Sequence, residues 1–215
     1  MEYNKVSKRT LSRLPAYLEY LKGLPAQQAQ VSAAIIARAL GLGEVQVRKD
    51  LAKVAQAGRR RTGRFRDQLI RDIENYLDFV TQTGAVLVGT GKLGRALLEY
   101  GGFPESGLNL MAGFDICPPP DRSKSCTKPI YPMSRLETFC KCYDVRIGII
   151  AVPVESAQEV CDCLVACGVG AIWNFAPVQL KVPENVMVHS ENLAASLAAL
   201  RQGLKDSVAA NDTNY

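Results

Sequence analysis

The stretch GAVLVGTGKLGRALLEY, residues 84–100, constrains the fold of this chain more than any other. The apolar run before Gly89 predicts a buried strand, and the leucine-rich pattern after Gly94 predicts a helix. Between them, Gly89, Gly91 and Gly94 form a G-x-G-x-x-G pattern. In this context the first glycine permits a tight turn, the second lets a pyrophosphate approach the backbone, and the third lets helix and sheet touch. The segment therefore predicts a nucleotide-binding turn in a parallel sheet.

The rest of the second half continues the alternation of strands and helices. LNLMAGFD ends at Asp115, 21 residues beyond Gly94. An acid at that place accepts hydrogen bonds from an adenosine ribose and repels a 2′-phosphate, so it favours NAD(H) over NADP(H). VRIGIIAVP (145–153) and AIWNFAP (171–177) predict further strands, whose carboxyl ends would lie on the nicotinamide side. A glycine turn that only packs a helix on the sheet is the alternative.

The predicted cofactor-binding residues lie at the carboxyl ends of these strands. They are Gly89, Thr90, Gly91, Lys92, Leu93, Gly94, Asp115, Val152, Pro153, Asn174, Phe175, Ala176 and Pro177. The predicted cofactor is NAD(H).

Charge divides the chain. Residues 1–85 hold 15 Lys and Arg against 8 Asp and Glu, whereas the remainder holds 11 against 13, which together give the net +5. A basic first third joined to a slightly acidic remainder suggests a module that binds a polyanion. A merely solvated basic face is the alternative.

Residues 31–54 predict two short helices around a glycine-containing turn. Ser32 is a good N-cap for the first helix, and Gly41 ends it. The second begins near Glu44, with Val47, Leu51 and Val54 facing inward and the basic side chains facing outward. This is the arrangement of a helix-turn-helix, whose second helix enters the DNA major groove. An ordinary αα-hairpin is the alternative.

The segment AGRRRTGRFR, residues 57–66, carries five arginines around two glycines, with Phe65 as an apolar anchor. Two short arms around a flexible turn would form a basic wing along the DNA backbone. A basic linker is the alternative. The predicted DNA-binding residues are Ser32, Arg48, Lys49, Lys53, Arg59, Arg60, Arg61 and Arg64.

The ends of the chain predict helices. Apolar residues at helical spacing predict a helix over 8–24, with its regular part beginning near Pro15. A leucine stripe (Leu193, Leu197, Leu200, Leu204) predicts a last helix that packs on its own sheet or on a partner subunit. The predicted organisation is a winged helix-turn-helix domain (1–80), a Rossmann-like α/β domain (81–190), a dimerisation helix (191–207) and a disordered tail (208–215).

The sequence predicts a regulator and not an enzyme. It has one histidine, His189, no Tyr-x-x-x-Lys pair, and little chain left for a substrate domain. The seven cysteines include no CxxC pair, which favours reduced thiols over a metal or disulfide site. No apolar run is long enough to span a bilayer and no leader is evident, so we expect a cytoplasmic protein with no membrane association.

Several segments resemble the Rex family of redox-sensing repressors over roughly residues 8–200. They are SRLPAYLEYL, VSAAIIARALGL, QVRKDL, VGTGKLGRALLEYGGF, FDICP, AVPVESAQEV and NFAPVQLKVPENV. The resemblance implies a homodimer with winged helix-turn-helix heads, dinucleotide-binding cores and an exchanged C-terminal helix. It implies binding of a palindromic DNA operator in the apo or NAD+ state and release by NADH, so that the protein responds to the NADH/NAD+ ratio.

The chain also departs from the family pattern. GRRRTGRF stands where the family wing resembles GKRGVGY, so Arg61 replaces a glycine and Arg64 a tyrosine. Tyr100 matches the nicotinamide-side tyrosine, but Glu19 and Asn192 stand where the family's switch uses an arginine and an aspartate. A Glu–Asn contact cannot reproduce an Arg–Asp ion pair. Two alternatives stay open at this stage, an NAD-dependent oxidoreductase and a CoA-binding domain with a basic head.

Overall fold

The computed structural model describes residues 7–25, 27–55, 64–118 and 127–212. Contacts divide the chain into two compact units, residues 1–81 and 82–215. None of the helices within the described ranges is both long and apolar enough to cross a membrane.

The first unit is helical with one small ribbon. Its elements are α1 (Lys8–Lys22), β1 (Gln30–Val31), α2 (Ala33–Leu40), α3 (Glu44–Val54), β2 (Arg64–Phe65) and α4 (Arg66–Tyr76). β1 and β2 pair antiparallel. The core draws buried side chains from all four helices, and its largest members are Leu14, Tyr17, Leu21, Ile36, Leu69 and Ile73. Helices α2 and α3 around a glycine turn, followed by a strand, form a helix-turn-helix of the winged type.

Helix α1 begins at Lys8, as predicted, and is already regular before Pro15. Ser7 caps it by accepting a hydrogen bond from the Thr10 amide, and Pro15 lies inside the helix, not near its start. Pro15 is exposed, whereas Leu14 beside it is fully buried. Burial of the apolar face therefore compensates for the backbone hydrogen bond that proline cannot donate.

The second unit is a parallel sheet between helices. Its elements are β3 (Thr83–Val88), α5 (Lys92–Leu98), β4 (Leu108–Asp115), β5 (Ile130–Pro132), α6 (Leu136–Cys142), β6 (Val145–Ile150), α7 (Val154–Ala166), β7 (Ala171–Asn174), β8 (Met187–Ser190) and α8 (Leu193–Asp212). The strand order is β5-β4-β3-β6-β7-β8, and every pair is parallel. The order reverses between β3 and β6, and ligands of such sheets bind at that point.

Two details of the helices differ from the expectations. In α5, Gly94 and Leu98 are buried, whereas Leu93 and Ala96, which belong to the apolar pattern that predicts this helix, are exposed. A helix turns about 100° per residue, so a small shift in phase changes its buried face. Helix α8 continues to Asp212, beyond the predicted end at 207.

Candidate nucleotide and DNA-binding sites

The turn between β3 and α5 requires glycine at its first position. Gly89 has φ of +95°, a conformation that other residues rarely adopt. A Cβ on Gly89 would lie 2.5 Å from the carbonyl oxygen of Ala151 and 2.7 Å from Cγ1 of Val152. The turn is therefore pressed against the residues that follow β6.

The other two glycines play different parts. A Cβ on Gly94 would lie 1.8 Å from the carbonyl oxygen of Gly89, so only glycine lets α5 approach the turn this closely. A Cβ on Gly91 would meet nothing within 4 Å. Gly91 therefore borders open space, where a bound diphosphate could reach the backbone.

Asp115 holds this turn in place. Its Oδ2 accepts hydrogen bonds from the amide and hydroxyl of Thr90, at 2.7 and 2.9 Å, and its Oδ1 accepts one from the Cys117 amide at 3.0 Å. Burial alone would raise the pKa of Asp115, but the bonds from Cys117 and Thr90 lower it below its ordinary value. The carboxylate is therefore charged and already engaged, which spacing alone does not reveal.

A cavity of about 780 Å³ opens from this turn and runs between α6 and α7. Five predicted cofactor residues line it: Gly89, Gly91, Asp115, Val152 and Pro153. Residues of α6 and the turn before it, among them Met133 and Glu137, form one wall, and residues of α7, among them Ser156 and Glu159, form the other. A cavity of this size that starts at a glycine turn suits the adenosine part of a dinucleotide.

The predicted nicotinamide side divides, because Val152 and Pro153 line this cavity whereas residues 174–177 lie outside its lining. Asn174 is buried and stabilises the loop that follows it. Its amide nitrogen donates hydrogen bonds to the carbonyls of Ala176 and Val178, both at 3.0 Å. Its side-chain oxygen accepts from the Ala176 amide at 2.9 Å. Asn174 therefore shapes the loop after β7.

Aromatic rings lie beside this loop. Tyr100 contacts Phe103 edge to face at 4.8 Å between ring centroids, Phe103 contacts Trp173 at 5.9 Å, and Trp173 contacts Phe175 at 5.0 Å. Tyr100 is 57% exposed and stands at the open end of this row. The row links the predicted switch tyrosine to the loop after β7.

The other predicted switch residues lie in different units. Glu19 is exposed on α1 of the first unit. Asn192 caps α8 of the second unit by accepting a hydrogen bond from the Ala195 amide at 2.8 Å. His189 is exposed on β8, 3.3 Å from the Glu191 carboxylate.

The solvent-exposed face of helix α3, in the first unit, carries both basic and apolar side chains. Arg48, Lys49 and Lys53 are exposed, and Arg48 forms an ion pair with Glu44. Val45, which was not predicted, is 61% exposed in the first turn, three and four residues before the two basic side chains. The first turn of a recognition helix contacts base edges, and apolar side chains there contact thymine methyl groups.

The inner face of α3 carries a buried acid that was also missed. Asp50 is 4% exposed and accepts hydrogen bonds from Thr10 at 2.9 Å, Arg13 at 2.8 Å and Tyr17 at 3.0 Å, all on α1. Burial raises the pKa of Tyr17, and its hydrogen bond to Asp50 raises it further. Asp50 follows Val47 by three positions, so its inward direction was readable from the helical period.

The predicted wing is only partly described. Arg59, Arg60 and Arg61 lie outside the described residues. Arg64 is partly buried on β2, where burial lowers its pKa and the charge of Asp72 opposes that shift. Phe65 was expected to be an apolar anchor. It is instead 65% exposed and is not part of the core of the unit.

Ser32 has a structural role at the start of α2. Its hydroxyl accepts a hydrogen bond from the Ile35 amide at 3.3 Å and so caps the helix. The same side chain was predicted to contact DNA.

A helix-turn-helix unit and a parallel nucleotide-binding sheet in one chain define a class of ligand-responsive transcription regulators. Residues 5–52 match the family model described as putative DNA-binding protein N-terminus, and residues 80–178 match the one described as CoA binding domain. The redox-sensing transcriptional repressor Rex of Porphyromonas gingivalis is 39% identical over 202 residues, which cover 94% of this chain and 93% of the relative.

Solved structures agree over nearly the whole length. The structure of RSP in complex with β-NAD+ and operator DNA is 29% identical, with a TM-score of 0.85 over 98% of this chain and 97% of that one. The complex of RSP with β-NADH is also 29% identical, with a TM-score of 0.84 over 97% and 99%. The chain belongs to the Rex family of redox-sensing transcriptional repressors, as its sequence resemblance predicted, and the predicted fold class is confirmed.

Proposed function

We propose that this chain is a DNA-binding repressor whose operator affinity is controlled by NAD(H) bound in its second unit. The observation that carries the proposal is the joint presence of a basic outward face on α3 and an open glycine cradle leading into a cavity. A repressor that acts on the chromosome would work in the cytoplasm.

The residues present fit a dinucleotide. Gly91 leaves space beside the backbone, and the N–H groups of the first turn of α5 have no partner within that helix. Asp115 adds negative charge at the ribose end, which disfavours a 2′-phosphate. When bound, the nicotinamide supplies a difference in charge, since the ring is cationic in NAD+ and neutral in NADH.

The DNA-binding surface on α3 divides by position. Arg48 and Lys49 lie where a recognition helix meets base edges, and both suit guanine O6 and N7. Lys53, further along the helix, would contact phosphates, as would the wing arginines.

A homodimer would use α8. Its described leucines, Leu197, Leu200 and Leu204, are each more than half exposed, which leaves an apolar stripe for a second subunit. A two-fold dimer of helix-turn-helix units requires a palindromic operator.

The decisive experiment selects operator DNA from random duplexes and then measures its affinity with NAD+ and NADH added separately. We expect NADH to weaken operator binding by about tenfold and NAD+ to leave it nearly unchanged. Equal effects of the two forms would show that redox control is lost, and the replacement of the family's ion pair by Glu19 and Asn192 would then be the first cause to test.

One other ligand is favoured by a specific observation, the match of residues 80–178 to a family model described as CoA binding domain. Competition between CoA and NADH for the protein separates the two. Displacement of bound NADH only by CoA concentrations far above the NADH dissociation constant supports the dinucleotide.

A further inference from the structure

Hydrogen bonds join the end of β7 to the segment that leads into α8. The indole Nε1 of Trp173 donates to Oε1 of Glu191 at 2.9 Å, and the Glu191 amide donates to the Asn174 carbonyl at 2.8 Å. His189 lies opposite Trp173 in the parallel register of β7 and β8. Side chains two residues apart share a face of a sheet, so Glu191 continues the face of His189 and meets Trp173. Glu191 is therefore held by β7 through both its side chain and its main chain.

On one side, Trp173 belongs to the row of aromatic rings beside the loop after β7. Its ring centroid lies 5.0 Å from that of Phe175 and 5.9 Å from that of Phe103. The three rings pack in the same core cluster, and Tyr100 stands at the exposed end of the row. Phe175 is part of the predicted nicotinamide side. A displacement of this loop would therefore move the indole whose N–H is bonded to Glu191.

On the other side, Glu191 immediately precedes the residue that caps α8. The Asn192 side chain accepts a hydrogen bond from the Ala195 amide at 2.8 Å, and its carbonyl accepts one from the Ser196 amide at 3.0 Å. These bonds fix the first turn of the helix that carries the exposed leucine stripe. Because Glu191 and Asn192 are adjacent, the position of that first turn follows the position of Glu191.

We propose that Glu191 is a positioning residue that couples the loop after β7 to α8. Its carboxylate holds the Trp173 ring and its main chain holds the start of the helix, so a change in the loop on cofactor binding is passed to the helix proposed for the dimer. The link itself rests on the hydrogen bonds within the second unit. Its effect on operator binding rests on the proposed function.

The bond between Trp173 and Glu191 is suited to such a coupling. It is partly buried, and a carboxylate acceptor makes it stronger than a bond between neutral groups. An indole N–H can only donate, so a ring that moves away from this acceptor leaves a partly buried donor unsatisfied. The bonded and unbonded arrangements therefore differ in free energy, and a ligand that favours one of them shifts the population.

The first test uses the fluorescence of Trp173, the single tryptophan of the chain, in the full-length protein without cofactor. Glu191→Leu removes the acceptor, whereas Glu191→Gln keeps an amide oxygen that can accept the indole N–H. His189→Asn is the matched control, because it removes the other neighbour of Oε1 of Glu191, at 3.3 Å. We expect a shifted emission maximum in Glu191→Leu and the wild-type spectrum in Glu191→Gln and His189→Asn.

The second test measures the coupling as the ratio of operator affinity with NAD+ to that with NADH, by fluorescence anisotropy of labelled operator. We expect a ratio of about ten in the wild type, Glu191→Gln and His189→Asn, and of about two or less in Glu191→Leu. Trp173→Phe, which removes the donor but keeps a ring in the row, should match Glu191→Leu. The double variant should be no worse than either single one, since both remove the same bond. A purely structural role would lower the melting temperature and leave this ratio unchanged.

Two results would overturn the proposal. An unchanged emission spectrum in Glu191→Leu would exclude the link, and a wild-type affinity ratio in both Glu191→Leu and Trp173→Phe would exclude the coupling. Equal operator affinity of the wild type with NAD+ and NADH would instead contradict the redox control in the proposed function. Amide hydrogen exchange of residues 193–200 then tests the link alone. Faster exchange in Glu191→Leu than in the wild type supports it, and equal exchange excludes it.

Discussion

Two aspartates, one in each unit, each hold a neighbouring segment in place by accepting hydrogen bonds, but from different kinds of donor. Asp50 is almost fully buried and is held by three side chains of another helix, including the cation of Arg13. Asp115 is half-buried and is held mainly by the backbone amides of Thr90 and Cys117. The first acid therefore positions helix α3 through replaceable side chains, whereas the second positions the glycine turn mainly through the main chain. Substitution of the two aspartates should therefore affect stability in different ways.

The largest effect is expected for Asp50→Ala. Loss of the acid leaves Arg13 without its ion-pair partner and Thr10 and Tyr17 without their acceptor. We expect a loss of about 3 kcal/mol in the free energy of unfolding of the first unit, and loss of operator binding with it. Urea unfolding followed by circular dichroism measures the first, and fluorescence anisotropy the second.

Lys49→Ala is the matched control on the same helix. It should weaken operator binding without lowering stability, since Lys49 is exposed. NADH binding in the second unit should survive both substitutions. Equal stability of the wild type and Asp50→Ala would show that the buried hydrogen bonds do not hold α3.

The next effect is expected within the glycine turn of the second unit. Gly94→Ala places a methyl group against the Gly89 carbonyl, whereas Gly91→Ala meets no protein atom. Gly94→Ala should therefore destabilise the unit by about 1–3 kcal/mol. Gly91→Ala should keep the wild-type melting temperature and weaken NADH binding on the order of tenfold. Thermal melts with and without NADH distinguish the two, and normal NADH affinity in Gly91→Ala would argue that the diphosphate binds elsewhere.

Asp115→Asn tests whether the stability that Asp115 gives through its hydrogen bonds from the Thr90 and Cys117 amides depends on its charge. The lowered pKa of Asp115 means that the folded state favours the carboxylate. Its stabilisation, about 1 kcal/mol, is fully present at neutral pH and is lost as the pH falls below about 4, through the folded pKa. Unfolding measured from pH 7 to pH 3 should show the wild-type advantage over Asp115→Asn shrinking across that window. A constant difference across the range would exclude charge as the source.

The smallest effect concerns Val45, the exposed apolar side chain beside Arg48 and Lys49. If it contacts a thymine methyl, replacing operator thymines one by one with deoxyuridine should weaken binding about fourfold at one position of each half-site, as expected for one buried methyl group. Val45→Ala should lose this discrimination and keep the rest of the operator profile. Uniform affinity across all substituted operators would rule out the contact.

Whether the sequence predicted a feature depended on how far apart in the chain the interacting residues lie. The positive φ of Gly89, the close approach of Gly94 to Gly89 and the helix at Glu44 depend on residues near in sequence, so their spacing was sufficient. The bonds of Asp115 to Thr90 and of Asp50 to α1 join residues 25 to 40 positions apart, which only the fold brings together. The leucine pattern predicted the helix α5 but not that Leu98 is buried and Leu93 exposed, because the buried side of a short helix depends on its exact phase.

The ion pair between Glu44 and Arg48 bears on how the protein would search a genome. An exposed pair of this kind contributes less than about 1 kcal/mol, so it restrains the arginine only lightly. On DNA that lacks the operator, the guanidinium of Arg48 can stay paired with Glu44, which keeps the lifetime of the protein–DNA complex short. Glu44 accepts a single hydrogen bond from Arg48, whereas a well-placed guanine would accept two, at O6 and N7, and would thereby displace the carboxylate. Fast release from wrong sites and slow release from the right one can thus come from one neighbour four residues away.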